Sequence, residues 1–230
     1  MKQNGIMLNI HTLDTILNGN GKVHTKTSIE TPIRANAFEL TDEEKIAKIE
    51  YHFAEIMEAL GLDLTDDSLS DTPKRVAKMY VQEIFSGLNP DNKPAISLFE
   101  NKYGYKHMLV EKDITLYSNC EHHFVPIIGK AHVAYIPHDK VIGLSKINRL
   151  VQYYAKRPQV QERLTIQIAE GLKEILQHND VAVVIEADHL CVASRGIKDT
   201  GSITVTASYS GKFETENTQQ EFSSFIHNKR

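Results

Sequence analysis

The sequence predicts an α+β fold with an antiparallel sheet. Two segments with helical apolar spacing come first, two strand-like segments then follow one another directly, and a pair of helices separates these from a second pair of strands. No segment repeats at a fixed period, and no long linker divides the chain. We therefore expect one domain over residues 41–230, with a helical extension over 41–100 and a core over 101–230. Residues 1–40 are polar and irregular, and there we expect a flexible or partner-dependent arm.

The helices are predicted from apolar residues at three- and four-residue spacing and from signals at the helix ends. Thr41 and Glu44 form a capping-box pattern before the first long helix, and Gly61 follows its last apolar residue. Pro73 is tolerated in the first turn of the second helix, which Gly87 ends. The predicted helices cover residues 41–60, 71–86, 145–154 and 160–178, with a final helix from Glu214. Ile6–Leu17 has enough apolar residues for a short helix, but residues 18–22 break the pattern, and we assign this segment to the arm.

The strands are predicted from β-branched content and alternating polarity. If the third strand stays extended over residues 181–192, His189 and Cys191 point to the same face, because side chains alternate along a strand. The predicted strands cover residues 108–117, 125–136, 181–186 and 202–209.

Composition limits the functional class. The formal net charge is −4 and the pI is near 6.3, which argues against broad electrostatic binding of nucleic acid. No apolar run approaches the roughly 18–20 residues of a membrane helix, and the N-terminal sequence lacks the pattern of a secretory signal. We therefore expect a cytoplasmic protein that binds neither nucleic acid nor membrane and whose two cysteines stay reduced.

Cysteine and histidine residues indicate a metal site. Cys120 and His123 are separated by two residues, a spacing that lets one turn direct two ligands at a zinc ion. Together with Cys191 they would supply two thiolates and one imidazole, and the fourth tetrahedral position would stay open for water, as in catalytic zinc sites. His122 and His189 would stand near the metal without necessarily binding it. The alternative is that both cysteines are small buried hydrophobic residues.

Basic residues indicate an anion site. Lys146 and Arg149 share one face of the helix that starts at Ser145, where free backbone N–H groups favour an anion. Arg75 and Arg195 add two further positive charges. If all four lie near the metal site, they favour a polyphosphate ligand, whereas the alternative for each is a solvated surface.

These residues lie in motifs that together resemble the GTP cyclohydrolase I family over roughly residues 45–225. The resemblance implies a tunnelling fold, in which an antiparallel four-stranded sheet carries two helices on one face. It also implies a homodecamer of two face-to-face pentameric rings, with active sites at subunit boundaries. The motifs that carry the resemblance are Asp71–Arg75, Ser118–Pro126, Gly143–Arg149, Arg157–Leu164 and His189–Gly196.

The resemblance implies that the protein converts GTP and water to 7,8-dihydroneopterin triphosphate and formate, the first step towards folate or tetrahydrobiopterin. It implies one zinc ion per chain, which would activate water for attack on C8 of the purine. The implied roles are as follows: zinc ligands Cys120, His123 and Cys191; proton donor His122; second acid–base group His189; a hydroxyl for the later ribose rearrangement and ring closure, Ser145; guanine contacts Glu162 and Gln161; triphosphate contacts Lys146, Arg149, Arg195 and, more weakly, Arg75.

Two other functions fit parts of the sequence. A nitrile reductase of the same fold family would use a cysteine nucleophile and NADPH, and needs no zinc. A binding module stapled by zinc would need four protein ligands, whereas this chain offers three good ones. The sequence departs from the resemblance over residues 1–40, which show no match, and at Gln219, where many relatives have arginine. Because position 219 is glutamine, the sequence leaves open whether the C-terminal segment contacts phosphate or another subunit.

Overall fold

The computed structural model describes residues 15–17, 23–25 and 29–228, with side chains over 29–228. Residues 1–32 and 33–230 form two compact units. In the first unit, strand β1 (Thr15–Leu17) pairs antiparallel with β2 (Val23–Thr25). A short helix over Ile6–Leu17, for which the apolar residues suffice, does not extend to the end of that segment, where β-branched Thr15 and Ile16 favour a strand. Its residues 6–14 lie outside the described residues.

The second unit begins with a helical extension. Helix α1 (Asp42–Ala59) is capped as predicted: the Thr41 N–H donates to Glu44 Oε2 at 2.8 Å, and the Glu44 N–H donates to Thr41 Oγ1 at 3.2 Å. Helix α2 (Thr72–Lys78) continues as a π-helical segment over Met79–Ile84. Short 3₁₀ turns follow over Ser86–Leu88 and Pro90–Asn92.

Gly87 fixes how this extension meets the rest of the unit. Its N–H donates to the Lys156 carbonyl at 2.9 Å, and a Cβ at this position would lie 2.0 Å from the Tyr153 carbonyl oxygen. Only glycine permits so close an approach of two backbone segments.

The rest of the unit begins with four strands, after which helices and strands alternate. In chain order they are β3 (Leu98–Glu100), β4 (Leu109–Cys120), β5 (Pro126–Tyr135), β6 (Lys140–Ile142), α3 (Leu144–Ala155), β7 (Pro158–Gln159), α4 (Gln161–Leu176), β8 (Val181–His189), α5 (Leu190–Ala193), β9 (Thr204–Tyr209) and α6 (Glu216–His227). The helices and strands predicted over residues 108–209 and the final helix are confirmed, as is the α+β class.

The main sheet has the strand order β7-β4-β5-β8-β9. Its four long strands are antiparallel neighbours, and β7 adds two residues parallel to β4. β3 and β6 form a separate two-stranded sheet. The two-residue β7 was not predicted, because its pairing depends on the position of β4 and not on a local pattern.

The alternation of side chains along β8 divides the core between two faces of the sheet. One set of β8 residues packs with α3 and α4, and the other packs with α6 and the 3₁₀ turn Gly211–Glu214. The first set is Val181, Val183, Ile185 and Ala187, and the second is Ala182 and Val184. Within the described residues, no helix is long and apolar enough to cross a bilayer.

Helix α3 runs along the sheet towards the end where β4 finishes. Just before the helix, the Ile142 N–H donates to the Tyr135 hydroxyl at 2.9 Å. At its other end, the Ala155 carbonyl accepts from Ser118 Oγ at 2.7 Å. The start of α3 therefore lies at the opposite end of the sheet from Cys120.

Candidate metal centre

Cys120 and His123 are brought together by the hairpin between β4 and β5. The Cys120 N–H donates to the Val125 carbonyl at 2.9 Å, and the Phe124 N–H donates to the Cys120 carbonyl at 2.8 Å. Phe124 has a φ of 53°, in the left-handed region, and its carbonyl accepts from Asn119 Nδ2 at 3.2 Å. These bonds close a tight turn that fixes the backbone on both sides of His123.

Cys191 reaches the same place from β8. Residue Ile127 of β5 pairs with Ser118 of β4 on one side and with His189 of β8 on the other, so the three strand ends lie side by side. Residues 181–192 do not stay extended throughout, since α5 begins at Leu190 directly after the strand, and strand alternation therefore does not set the direction of Cys191. This helical turn is closed by the Ser194 N–H, which donates to the Leu190 carbonyl at 2.9 Å.

One ligand atom each from Cys120, His123 and Cys191 lies within 4.8 Å of the other two. Cys120 is buried, whereas Cys191 is half-buried, and both thiols are free. Burial raises the pKa of the Cys191 thiol, and the neighbouring Cys120 thiol raises it further. Two sulfur donors and one imidazole fit zinc. Burial disfavours the charged thiolate form of the cysteines, and a bound zinc ion would favour it. The residues present therefore fit a zinc ion with one open position.

Two further side chains contact this cluster. His122 Nδ1 lies 3.7 Å from Cys120 Sγ, and the His122 side chain is 65% exposed. Arg195 Nη1 donates to His123 Nε2 at 3.0 Å. The guanidinium therefore places a positive charge at the edge of the cluster.

His189 lies beside the cluster and contacts α4. Its Nε2 lies 2.7 Å from Oε1 of Gln161, whose side chain is buried. Burial lowers the pKa of His189, and the carboxylates of Glu162 and Asp188 oppose that shift. Glu162 is exposed in the first turn of α4, close enough to act on His189 electrostatically.

An ion pair beneath the hairpin was not predicted from the sequence. Arg163, which is 6% exposed, pairs with the Glu121 carboxylate in the turn between the two ligands. The Glu121 N–H donates to the Gln159 carbonyl of β7 at 2.9 Å. The available signal was the position of Arg163 on α4, directly before Leu164 and Thr165, which are buried.

The structure does not bring every predicted residue to this cluster. Within residues 29–228, no hydrogen bond or ion pair joins Ser145, Lys146 or Arg149 to it. Lys146 lies nine residues before the end of α3, or roughly 14 Å along the helix axis at 1.5 Å per residue. Arg75 is exposed, and its Nη2 lies 3.5 Å from Oδ2 of Asp71.

The family model for GTP cyclohydrolase I matches residues 49–227. A GTP cyclohydrolase 1 from Flavobacterium johnsoniae is 58% identical over 206 residues, covering 90% of this chain and 92% of that protein. Proteins of the same name from Yersinia enterocolitica and Aeromonas salmonicida are 57% and 56% identical over 195 residues, or 84% of this chain and 88% of each relative. A solved archaeosine synthase QueF-Like, in the apo form, aligns with 45% of this chain and 93% of its own, with a TM-score of 0.38 and 20% identity.

Proposed function

This chain belongs to the GTP cyclohydrolase I family, and we propose that Cys120, His123 and Cys191 hold the zinc ion that its reaction uses. The enzyme acts on GTP, converting GTP and water to 7,8-dihydroneopterin triphosphate and formate in pterin and folate synthesis. The observation that carries the zinc proposal is the approach of two thiols and one imidazole to within 4.8 Å.

The donor set supports a catalytic zinc site over a structural one. Within the described residues the group comprises three donors, so that a tetrahedral ion would keep one position for water. When bound, zinc lowers the pKa of a coordinated water towards ~7 and so supplies a nucleophile at neutral pH. Cys120 and Cys191 would supply the negative charge that holds the ion, and the hairpin turn would orient His123.

Two histidines next to the cluster supply proton transfer. Release of formate from the purine requires protons to move at the nitrogens of the opening imidazole ring. His122 is largely exposed and lies beside Cys120, which supports a role as proton donor. His189 is half-buried at the end of β8, and we assign it the second acid–base role.

Glu162 is the proposed guanine contact. Its carboxylate offers two acceptor oxygens, which match the adjacent N1–H and 2-amino donors of guanine. Its exposure in the first turn of α4, next to His189, supports this role. Gln161 lies beside it, but its buried side chain supports an indirect part in the substrate pocket.

The proposed triphosphate contacts are Arg195, Lys146 and Arg149, with Arg75 as a weaker candidate and Ser145 as the hydroxyl for the later ribose rearrangement. Arg195 lies at the cluster of its own chain. Lys146 and Arg149 lie in the first half of α3, away from the metal centre of the same chain. This separation supports sites built at the boundary between two copies of the chain.

We propose that these copies form a homodecamer of two pentameric rings with the tunnelling fold. Among the described strands, β9 has a partner on one side only; Ile203, just before it, and Val205, within it, are 61% and 60% exposed. Ring closure would pair such edges and cover these apolar side chains. We place the enzyme in the cytoplasm, where the two thiols would stay reduced for metal binding.

Metal removal tests the zinc proposal. The enzyme is treated with a chelator, freed of it, and given back measured amounts of zinc, while metal content and formation of the pterin product from GTP are followed. We expect turnover to vanish without metal and to return in proportion to zinc, up to one ion per chain. Full turnover by metal-free protein would overturn the proposal.

A further inference from the structure

Gln161 contacts His189 through a side chain that the rest of the structure holds in one orientation. We propose that Gln161 is a positioning residue that keeps the proton of neutral His189 on Nε2 and leaves Nδ1 to exchange protons with the substrate. The inference rests on the proposed acid–base role of His189. It also assigns Gln161 a task other than direct contact with guanine.

The orientation of the Gln161 amide follows from its partners. Its Nε2 lies 3.1 Å from the Ile185 carbonyl oxygen and 3.0 Å from the Thr204 carbonyl oxygen. Both partners can only accept, and an amide nitrogen has two hydrogens to donate. The nitrogen must therefore face the ends of β8 and β9, which leaves Oε1 facing His189. Rotating the amide would set its oxygen against two carbonyl oxygens.

Two threonine hydroxyls extend the same network. Thr165 Oγ1 donates to the Gln161 backbone carbonyl at 2.8 Å, and the Thr165 and Thr206 hydroxyl oxygens lie 2.7 Å apart. Since the Thr165 hydrogen is used, Thr206 donates to Thr165. The Thr206 oxygen lies 3.1 Å from Gln161 Nε2 and is a third acceptor for its two hydrogens. All three acceptors lie on the nitrogen side of the amide, so the network holds Gln161 in one orientation.

The tautomer of His189 follows from the amide. Oε1 of Gln161 is an acceptor only, so His189 Nε2 must donate across the 2.7 Å contact. A neutral imidazole with its proton on Nε2 has its lone pair on Nδ1. Within residues 29–228, Nδ1 has no hydrogen-bond partner and is not among the atoms shielded from solvent. Nδ1 is therefore the nitrogen left for proton exchange.

The test compares Gln161→Met with Gln167→Met. Methionine has a similar length and no amide. Gln167 is a second buried glutamine on α4, and its Oε1 accepts from Gln159 at 2.8 Å, so its replacement reports the cost of losing a buried amide elsewhere on the helix. Ring ¹⁵N shifts of His189 are measured in the zinc-loaded enzyme, with the signal assigned by its loss in His189→Gln, and kcat and KM for GTP are measured alongside.

We expect the native enzyme and Gln167→Met to show a protonated Nε2 and an unprotonated Nδ1 in neutral His189. Gln161→Met should show a mixture of tautomers, and its kcat should fall by up to about 100-fold, with a smaller change in KM and unchanged zinc content. A native His189 protonated on Nδ1, or a Gln161→Met variant with native tautomer and kcat, would overturn the inference. The shifts need no turnover, so they decide the tautomer even if the proposed reaction fails.

Discussion

Two clusters of metal-binding residue types lie at opposite ends of β8, and they differ in the chemistry of their donor atoms and in how those atoms are arranged. One is formed by Cys120, His123 and Cys191, and the other by His138, His178 and Asp180. In both clusters the ligand atoms lie within 4.8 Å of one another. The nine steps from residue 180 to residue 189 separate the two by roughly 30 Å at the usual strand rise.

Most donors of the second cluster are already engaged within the chain, although His178 Nε2 is buried without a hydrogen-bond partner among the described residues. His178 Nδ1 accepts from the Asp180 N–H at 3.2 Å, and Asp180 Oδ2 lies 2.9 Å from His138 Nε2 and 3.2 Å from Lys212 Nζ. The two imidazole rings are stacked, with centroids 4.1 Å apart and planes inclined by 17°. Lone pairs that lie in nearly parallel ring planes do not converge on one ion.

The first cluster has softer donors and a more easily displaced contact. His123 Nε2 accepts from Arg195, whose side chain belongs to an exposed stretch after α5 and has room to move away. Proximity of histidine and carboxylate side chains therefore does not by itself define a metal site. The lone pairs must also be free and directed at one point.

The largest expected contrast comes from removing one donor at each end. Cys191→Ala should lose zinc and all measurable turnover, because two ligands hold a divalent ion poorly. His178→Ala should keep one zinc per chain and near-native turnover, since its ring serves packing and a local hydrogen bond. Metal analysis of both purified variants checks this. Zinc retained in Cys191→Ala, or lost in His178→Ala, would reverse the comparison.

A smaller effect is expected next to the metal end, at Glu162. Glu162→Ala should weaken GTP binding with unchanged zinc content, because guanine loses the acceptor for its N1–H and 2-amino groups. ITP, which lacks the 2-amino group, should bind the native enzyme more weakly than GTP does. Its affinity should also fall less than that of GTP in the variant. Titration of both nucleotides against both proteins measures this. If Glu162 is only a solvated residue at a helix start, both affinities stay native and stability falls by ~0.3–1 kcal/mol.

The smallest expected effect is on the pH dependence of the free energy of unfolding, through His178 of the second cluster. Burial lowers the pKa of His178, and His138 lowers it further, so below about pH 6.5 the unfolded chain binds protons that the folded chain does not. The free energy of unfolding should therefore fall as pH drops from 7 to 5. His178→Gln should reduce this slope by well under the limit of ~1.4 kcal/mol per pH unit for one group, because solvent screens the partly exposed ring. Replacing exposed His107 with glutamine is the control, and urea unfolding at several pH values gives the slopes. Equal slopes in native and His178→Gln proteins would contradict this account.

Short sequence patterns predicted the helix cap and the metal-ligand turn, because both depend only on residues that are close in the chain. Thr41 and Glu44 cap α1 because the capping box needs only four residues of chain. The spacing of Cys120 and His123 similarly reflects a single turn. The helical turn around Cys191 was missed, because residues 190–193 leave the strand where the sheet ends, and the sequence does not mark that point.

Pairings between distant residues account for most of what the sequence did not reveal. Arg163 and Glu121 are 42 residues apart, and His189 and Gln161 are 28 apart. Both pairs form only after α4 packs beside the ends of β4 and β8. Lys146 and Arg149 illustrate the opposite difficulty: their motif is recognisable, but within one chain α3 carries them away from the metal centre.

X-ray absorption at the zinc edge of the purified enzyme tests the central claim most directly, because it measures the atoms bound to the ion. We expect one zinc per chain, with two sulfur atoms at about 2.3 Å and nitrogen or oxygen atoms at about 2.0–2.1 Å, as two cysteines, one histidine and one water would give. A spectrum with nitrogen and oxygen ligands alone would contradict the assignment of Cys120 and Cys191 and would direct attention to His138, His178 and Asp180.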